Sequence, residues 1–264
     1  MASKLKAVLI DLSGTLHIED HAIPGAVEAL KKLISSNEYA INFVTNTTKE
    51  SLDVLYTRLK RCEFDMIEKS QIFTSLTAAR RYIEAQKLRP MLLLEEEALE
   101  DFDGIDTKNP NVVVIGLAPS HFYFERMNEA FRLLLNPETQ LVSIHKTRYY
   151  KRLDGLALGP GPFAEALTYA SGKEATVVGK PEKAFFLSAL ESLNPNIPPE
   201  NTVMIGDDVK DDILGALKAG MKAILVKTGK YRQGDENLVP EESRNCVESF
   251  VEAVGLIESG KLFP

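Results

Sequence analysis

Residues 6–15 read KAVLIDLSGT, a short apolar run that reaches an aspartate and then turns at a glycine. The run KAVLIDL (6–12) predicts a strand. Asp11 then falls at the carboxyl end of that strand, immediately before the turn at Gly14. In open parallel sheets that edge is where ligands bind.

Outward from this strand, short apolar runs alternate with helical patterns, the signature of a parallel sheet with crossover helices. Pro24 suits a first helical position, and Ala26, Val27, Leu30, Leu33 and Ile34 follow at helical spacing. AINFV (40–44) predicts the next strand and 48–61 a helix with Leu52, Leu55, Tyr56 and Leu59 on one face. A second unit of the same style follows, with strands at 91–94, 112–116 and 140–144 and helices at 75–87 and 120–135. After 176–178 the first pattern returns: a helix at 182–193, a strand at 202–205, a helix at 213–219, a strand at 222–226 and a terminal helix at 247–258. The expected fold is therefore α/β, a doubly wound Rossmann-like core with an inserted α/β cap domain. The core is expected over 1–70 and 178–264, and the cap over 71–177.

The 264 residues, 44% of them hydrophobic, suffice for a large core with an insertion. The net charge of -7 comes with no clustered basic face of the kind that nucleic acid requires. No stretch approaches the roughly 18 apolar residues of a membrane span, and the first residues do not read as a signal peptide. Cys62 and Cys246 have neither metal-ligand spacing nor a disulfide pattern. A soluble, reducing, cytoplasmic location is expected, with no nucleic-acid or membrane partner.

Three further elements join Asp11. Asp207 ends another strand in a glycine-flanked turn (MIGDD), and two strand-end carboxylates with a carbonyl oxygen and water suit a hard cation such as Mg²⁺. Alone, each aspartate is more commonly a turn or helix cap. Thr45 and Asn46 follow the second strand, where a hydroxyl, an amide and the N–H groups of a helix start form an anion cradle. Lys180, between Gly179 and Pro181, is a compact point charge suited to phosphate; alone it would be a solvated surface lysine.

Asp11-Leu12-Ser13-Gly14-Thr15, Thr45-Asn46, Lys180 and Gly206-Asp207-Asp208 with Asp212 resemble, in order and spacing, the four motifs of the haloacid dehalogenase-like hydrolases. The long insertion between the second and third motifs resembles the large α/β cap of the nitrophenylphosphatase-like branch. The resemblance implies a Mg²⁺-dependent phosphohydrolase acting on a small phosphorylated substrate. In it, Asp11 attacks phosphorus and becomes a transient aspartyl-phosphate. Mg²⁺ is held by Asp11, the backbone carbonyl of Ser13 and Asp207, and Asp212 orients a metal-bound water, with Asp208 a weaker candidate for that task. Thr45 and Asn46 bind the phosphoryl oxygens, and Lys180 neutralises them and ties down Asp11.

One position departs from the family pattern. Phosphatases of the family usually carry a second Asp two residues after the nucleophile, as general acid and base; here that residue is Ser13. Losing such help costs on the order of 10²–10⁴ in rate. A rival expectation is thus a catalytically weak phospho-ligand-binding protein, against which stands the retention of Asp11, Lys180 and Asp207. A dehalogenase or phosphonatase, and a generic nucleotide-binding domain, rank lower; no G-x-G-x-x-G follows the first strand. Substrate choice is expected around His145, Lys146, Arg148, Tyr149, Tyr150 and Lys151, a density of cations and aromatics that is equally a solvated, packed surface. A homodimer through the cap is left open.

Overall fold

The computed structural model describes residues 4–152 and 155–262. By contact the chain divides into two units. The first gathers Met1–Thr45, Asp53–Phe73 and Lys180–Pro264; the second gathers Asn46–Leu52 and Thr74–Gly179.

The first unit is built on a six-stranded sheet in the order Cys246–Val247, Lys222–Val226, Thr202–Gly206, Ala7–Asp11, Ala40–Thr45, Ile72–Thr74. The pairings from Cys246–Val247 across to Ala40–Thr45 are parallel. Every residue of Ala7–Asp11 and Thr202–Gly206 is buried, so these strands need cover on both faces and carry continuous apolar runs. Helices Ala26–Ser35 and Phe250–Ser259 pack together, and helix Lys183–Leu193 packs on strand Ala40–Thr45. Asn42 looks misplaced in a central strand, yet its amide donates to the Ala189 carbonyl (3.0 Å) and the Ser192 hydroxyl (3.2 Å), pinning Lys183–Leu193 to the sheet.

The strand order has one functional consequence. From Ala7–Asp11 the chain continues to Ala40–Thr45 on one side, whereas from Thr202–Gly206 it continues to Lys222–Val226 on the other. The chain therefore leaves the carboxyl ends of these two central neighbours in opposite directions, the arrangement that opens a ligand-binding crevice in α/β sheets.

The second unit holds a parallel four-stranded sheet, Ala175–Val177, Gln140–Ser143, Val112–Ile115, Pro90–Leu93. Alternate residues of Val112–Ile115 face separate cores, Val112 and Val114 toward Leu76, Ala79 and Ile83, and Val113 and Ile115 toward Ala130, Leu134, Ala164 and Leu167. This is the α/β pattern expected of the insertion.

Several elements differ from the sequence reading. Asn46–Leu52 groups with the second unit, although the core was expected to run over 1–70. Hydrogen bonds explain it: Ser75 Oγ donates to the Thr47 carbonyl (3.0 Å), Leu52 N–H donates to Asp101 Oδ1 (3.0 Å), and Thr48 Oγ1 meets His145 Nε2 (3.2 Å). The helix expected at 48–61 consequently begins at Leu52. The helix expected from 120 begins at Phe124, behind a 3-10 turn led by Pro119. Short strands at Ile72–Thr74 and Cys246–Val247, and an antiparallel hairpin of Tyr149–Arg152 with Gly155–Leu158, were not foreseen. Cys62 and Cys246 are free thiols. Among the described residues, no helix is long and apolar enough to cross a membrane.

Candidate active site

Asp11 ends strand Ala7–Asp11, and Asp207 directly follows strand Thr202–Gly206. The parallel register sets Ile10 beside Ile205, so the chain delivers both carboxylates to the same edge. Asp212 joins them, and ligand oxygens of Asp11, Asp207 and Asp212 lie within 4.8 Å of one another. All three residues are buried.

Lys180 lies among these acids and is 4% exposed, which rules out a solvated surface lysine. Its ammonium donates to Asp11 Oδ1 at 2.5 Å, to Asp212 Oδ1 at 2.6 Å and to the Val44 carbonyl at 3.4 Å. Burial alone would lower its pKa, but the Asp11 and Asp212 charges overcome that and raise it, so Lys180 stays cationic. Three carboxylates around one ammonium still leave surplus negative charge. Burial, reinforced by Asp11, pushes Asp207 up to about 7 against the opposing pull of Lys230 and Lys180.

Asp212 reaches Lys180 because of an irregular helix. Residues Val209–Leu214 form a π-helical turn, in which Ile213 N–H bonds the Asp208 carbonyl (3.3 Å). The turn folds Asp212 back so that its Oδ2 accepts from Asp208 N–H at 3.1 Å. Both Asp212 oxygens thus have donors, which suits an orienting role. Asp208 does what a cap does: its Oδ1 accepts from the N–H groups of Lys210 and Asp211, both at 3.0 Å.

Gly14 and Gly206 leave room for the acids. Gly14 has φ +93°, and a Cβ there would stand 2.2 Å from Asp207 Oδ2; one at Gly206 would stand 2.4 Å from Asp212 Oδ2. Ser13 is exposed and forms a bridge with His17. Thr45 is buried at its strand end in the first unit, whereas Asn46 belongs to the second, beside Gly179.

The sequence reading did not foresee four contributors. Thr15, fully buried, places its hydroxyl 3.5 Å from Asp11 Oδ2 and 3.3 Å from Asp207 Oδ1. His17 is buried, its Nδ1 meets the Glu19 carbonyl at 2.7 Å, and burial pulls its pKa below the ordinary value. Thr228 and Lys230 follow strand Lys222–Val226 and bond Gly14 and Asp207. A glycine just beyond a strand end, the signal that exposed Asp207, was also present at Gly229.

In the second unit, His145 is buried between the hydroxyls of Thr48 and Thr147. Lys146 pairs with Glu165 (2.5 Å), and the Lys49 ammonium lies 3.9 Å over the Tyr150 ring. Tyr149 is exposed. The Lys151 side chain lies outside the described residues.

The donor set fits a hard divalent cation: carboxylate oxygens converge in a buried site whose surplus negative charge such an ion would offset. A haloacid dehalogenase-like hydrolase model matches residues 8–108, and a HAD-hydrolase-like model matches residues 177–253. Haloacid dehalogenase-like hydrolase domain-containing protein 2 of Bos taurus is 60% identical over 95% of each chain. Phospholysine phosphohistidine inorganic pyrophosphate phosphatase of Homo sapiens is 40% identical over 96% of this chain and 94% of its own. The p-nitrophenyl phosphatase of Archaeoglobus fulgidus shares the fold with a TM-score of 0.86 at 24% identity, covering 96% of this chain and 99% of that one. Motifs, core topology and relatives agree, and the chain belongs to the haloacid dehalogenase-like hydrolase family.

Proposed function

We propose that this hydrolase is a Mg²⁺-dependent phosphatase that acts on a small phosphorylated substrate through an aspartyl-phosphate on Asp11. The observation that carries the proposal is the buried Lys180–Asp11 pair at 2.5 Å within the cluster of three acids. The Lys180 contact fixes the orientation of the Asp11 carboxyl group, as a nucleophile requires. In the first step an Asp11 oxygen bonds phosphorus while the leaving-group oxygen or nitrogen departs with the electron pair. Water then attacks the phosphoryl group and gives up a proton to solvent, the electron pair of the Asp11–phosphorus bond returns to the Asp11 carboxylate, and inorganic phosphate is released. The Lys180 charge and the Thr45 donor serve the phosphoryl oxygens. Asp11, Asp207 and the Ser13 carbonyl would hold Mg²⁺, with Asp212 orienting, and the ion supplies charge neutralisation for phosphoryl transfer. The phosphatases among the relatives support the same reaction class.

A metal that offsets the acid cluster must bind the folded protein more tightly than the unfolded chain, so Mg²⁺ is expected to raise the melting temperature. At an Mg²⁺ concentration about 100-fold over its dissociation constant, the gain is about 2.7 kcal/mol. Asp207→Ala should remove most of that gain. A thermal melt with and without Mg²⁺, in the absence of substrate, measures it; an equal Mg²⁺ shift in both proteins would remove Asp207 from the metal site.

Ser13 sets a second expectation. With no carboxylate at this exposed position, the best substrates are those whose leaving group departs without a proton. Ser13→Asp should move the kcat/KM ratio toward alkyl over aryl phosphates by about tenfold or more, part of the 10²–10⁴ range of general acid–base help. The assay needs saturating Mg²⁺, because the new carboxylate adds charge beside Asp11 and Asp207. A ratio that does not move would mean that proton supply is not what limits turnover.

A further inference from the structure

The turn after strand Lys222–Val226 carries none of the chemistry above, yet it touches both halves of the acid site. Thr228 Oγ1 donates to the Gly14 carbonyl at 2.5 Å. Lys230 N–H donates to Asp207 Oδ2 at 2.6 Å, and its ammonium reaches Asp208 Oδ2 at 3.2 Å. Between them Gly229 takes φ +48°, and a Cβ there would stand 2.2 Å from Asp207 Oδ2 and 2.5 Å from Gly14 Cα. Only a residue without a side chain lets the turn approach both groups.

We propose that Thr228-Gly229-Lys230 is a positioning clamp that sets the Asp207 carboxylate and the loop carrying Ser13, with Thr228 as its side-chain anchor. The inference rests on the phosphatase reading given above. A carboxylate at a chain end rotates unless donors fix both oxygens. Here Lys230 N–H holds Oδ2, and the Thr15 hydroxyl at 3.3 Å lies beside Oδ1. The Gly14 backbone is fixed at both ends. Its N–H donates to the His17 carbonyl at 2.7 Å, and its carbonyl accepts from Thr228. The Gly14 N–H shares a planar trans peptide with the Ser13 carbonyl, so anchoring Gly14 also fixes where that carbonyl points. Thr228 therefore acts on the reaction through Gly14 and Ser13 without touching substrate.

The test compares Thr228→Val, which keeps shape and loses the donor, with Thr228→Ser, which keeps the donor. Mg²⁺ binding is measured by calorimetry without substrate, and kcat and KM with 4-nitrophenyl phosphate. Residues that orient metal ligands typically contribute 10–100-fold in affinity or activity. Thr228→Val is expected to raise the Mg²⁺ dissociation constant by about tenfold or more and to lower kcat similarly, with KM changed by less than about threefold. Thr228→Ser should recover most of both losses. If Val destabilises the fold, Thr228→Ala carries the same comparison. Wild-type Mg²⁺ binding and kcat in the donor-less protein would overturn the inference. So would a Ser variant as impaired as Val, since that marks packing of the Thr228 methyl group. A wild-type protein that neither binds Mg²⁺ nor turns over would fell the phosphatase reading and this inference with it.

Discussion

Asp11→Asn is expected to abolish turnover, by roughly 10⁴-fold or more, the scale on which enzymes lose activity with a covalent nucleophile. The change is nearly isosteric, and its effect is chemical. A neutral amide oxygen is a poor nucleophile and a poor ligand for a hard cation, and no phosphoryl-enzyme can form on it. The fold should survive, because Lys180 retains Asp212 at 2.6 Å and one of three mutually repelling carboxylates is gone. Two measurements decide the matter: steady-state phosphate release at saturating Mg²⁺, and intact-mass detection of a phosphoryl adduct in a rapidly quenched reaction. Activity within about tenfold of wild type would refute Asp11 as the nucleophile. Lost activity with a collapsed melting transition would instead mark Asp11 as structural.

Lys180→Met is expected to cost both activity and stability. Lys180 is the ammonium that pairs directly with Asp11 and Asp212, at 2.5 and 2.6 Å, and it is 4% exposed. Removing one partner of a buried ion pair leaves uncompensated charge and typically costs about 3–5 kcal/mol. A solvated surface lysine would change stability by no more than about 0.5 kcal/mol, so the two readings separate cleanly. Metal offers a second check. Without the ammonium, the acid cluster should gain more from a divalent cation, and Mg²⁺ should stabilise Lys180→Met more than wild type. Denaturant unfolding with and without Mg²⁺ measures both effects. An unchanged midpoint would show that the acids find their compensation elsewhere.

Much of this site was legible in the sequence because its chemistry is anchored to strand ends. A run such as KAVLIDL must be a buried strand, a buried strand in a parallel sheet must deliver its last residues to one edge, and Asp11, Thr45 and Asp207 inherit their place from that rule. The α/β character of the core and of the insertion follows from the same alternation of short apolar runs with amphipathic helices.

What the sequence could not supply depends on contacts between segments far apart in the chain. Whether Lys180 is solvated or buried is not encoded around residue 180; it is decided by Asp11 and Asp212 closing on it. The π-helical turn that points Asp212 inward overrides a periodicity that reads as ordinary helix. Asn46 follows Thr45 directly, yet it joins the other unit because the partners of Thr47, Thr48 and Leu52 lie at Ser75, His145 and Asp101. Thr228 and Lys230 look like any loop residues until their donors meet Gly14 and Asp207. The sequence by itself determined the parallel sheet, its carboxyl edge and the acids upon it, because strand periodicity and strand-end position are local properties. The tertiary structure alone decided which charges are paired and which donors orient them, because burial and pairing of a charge are properties of its neighbours in space.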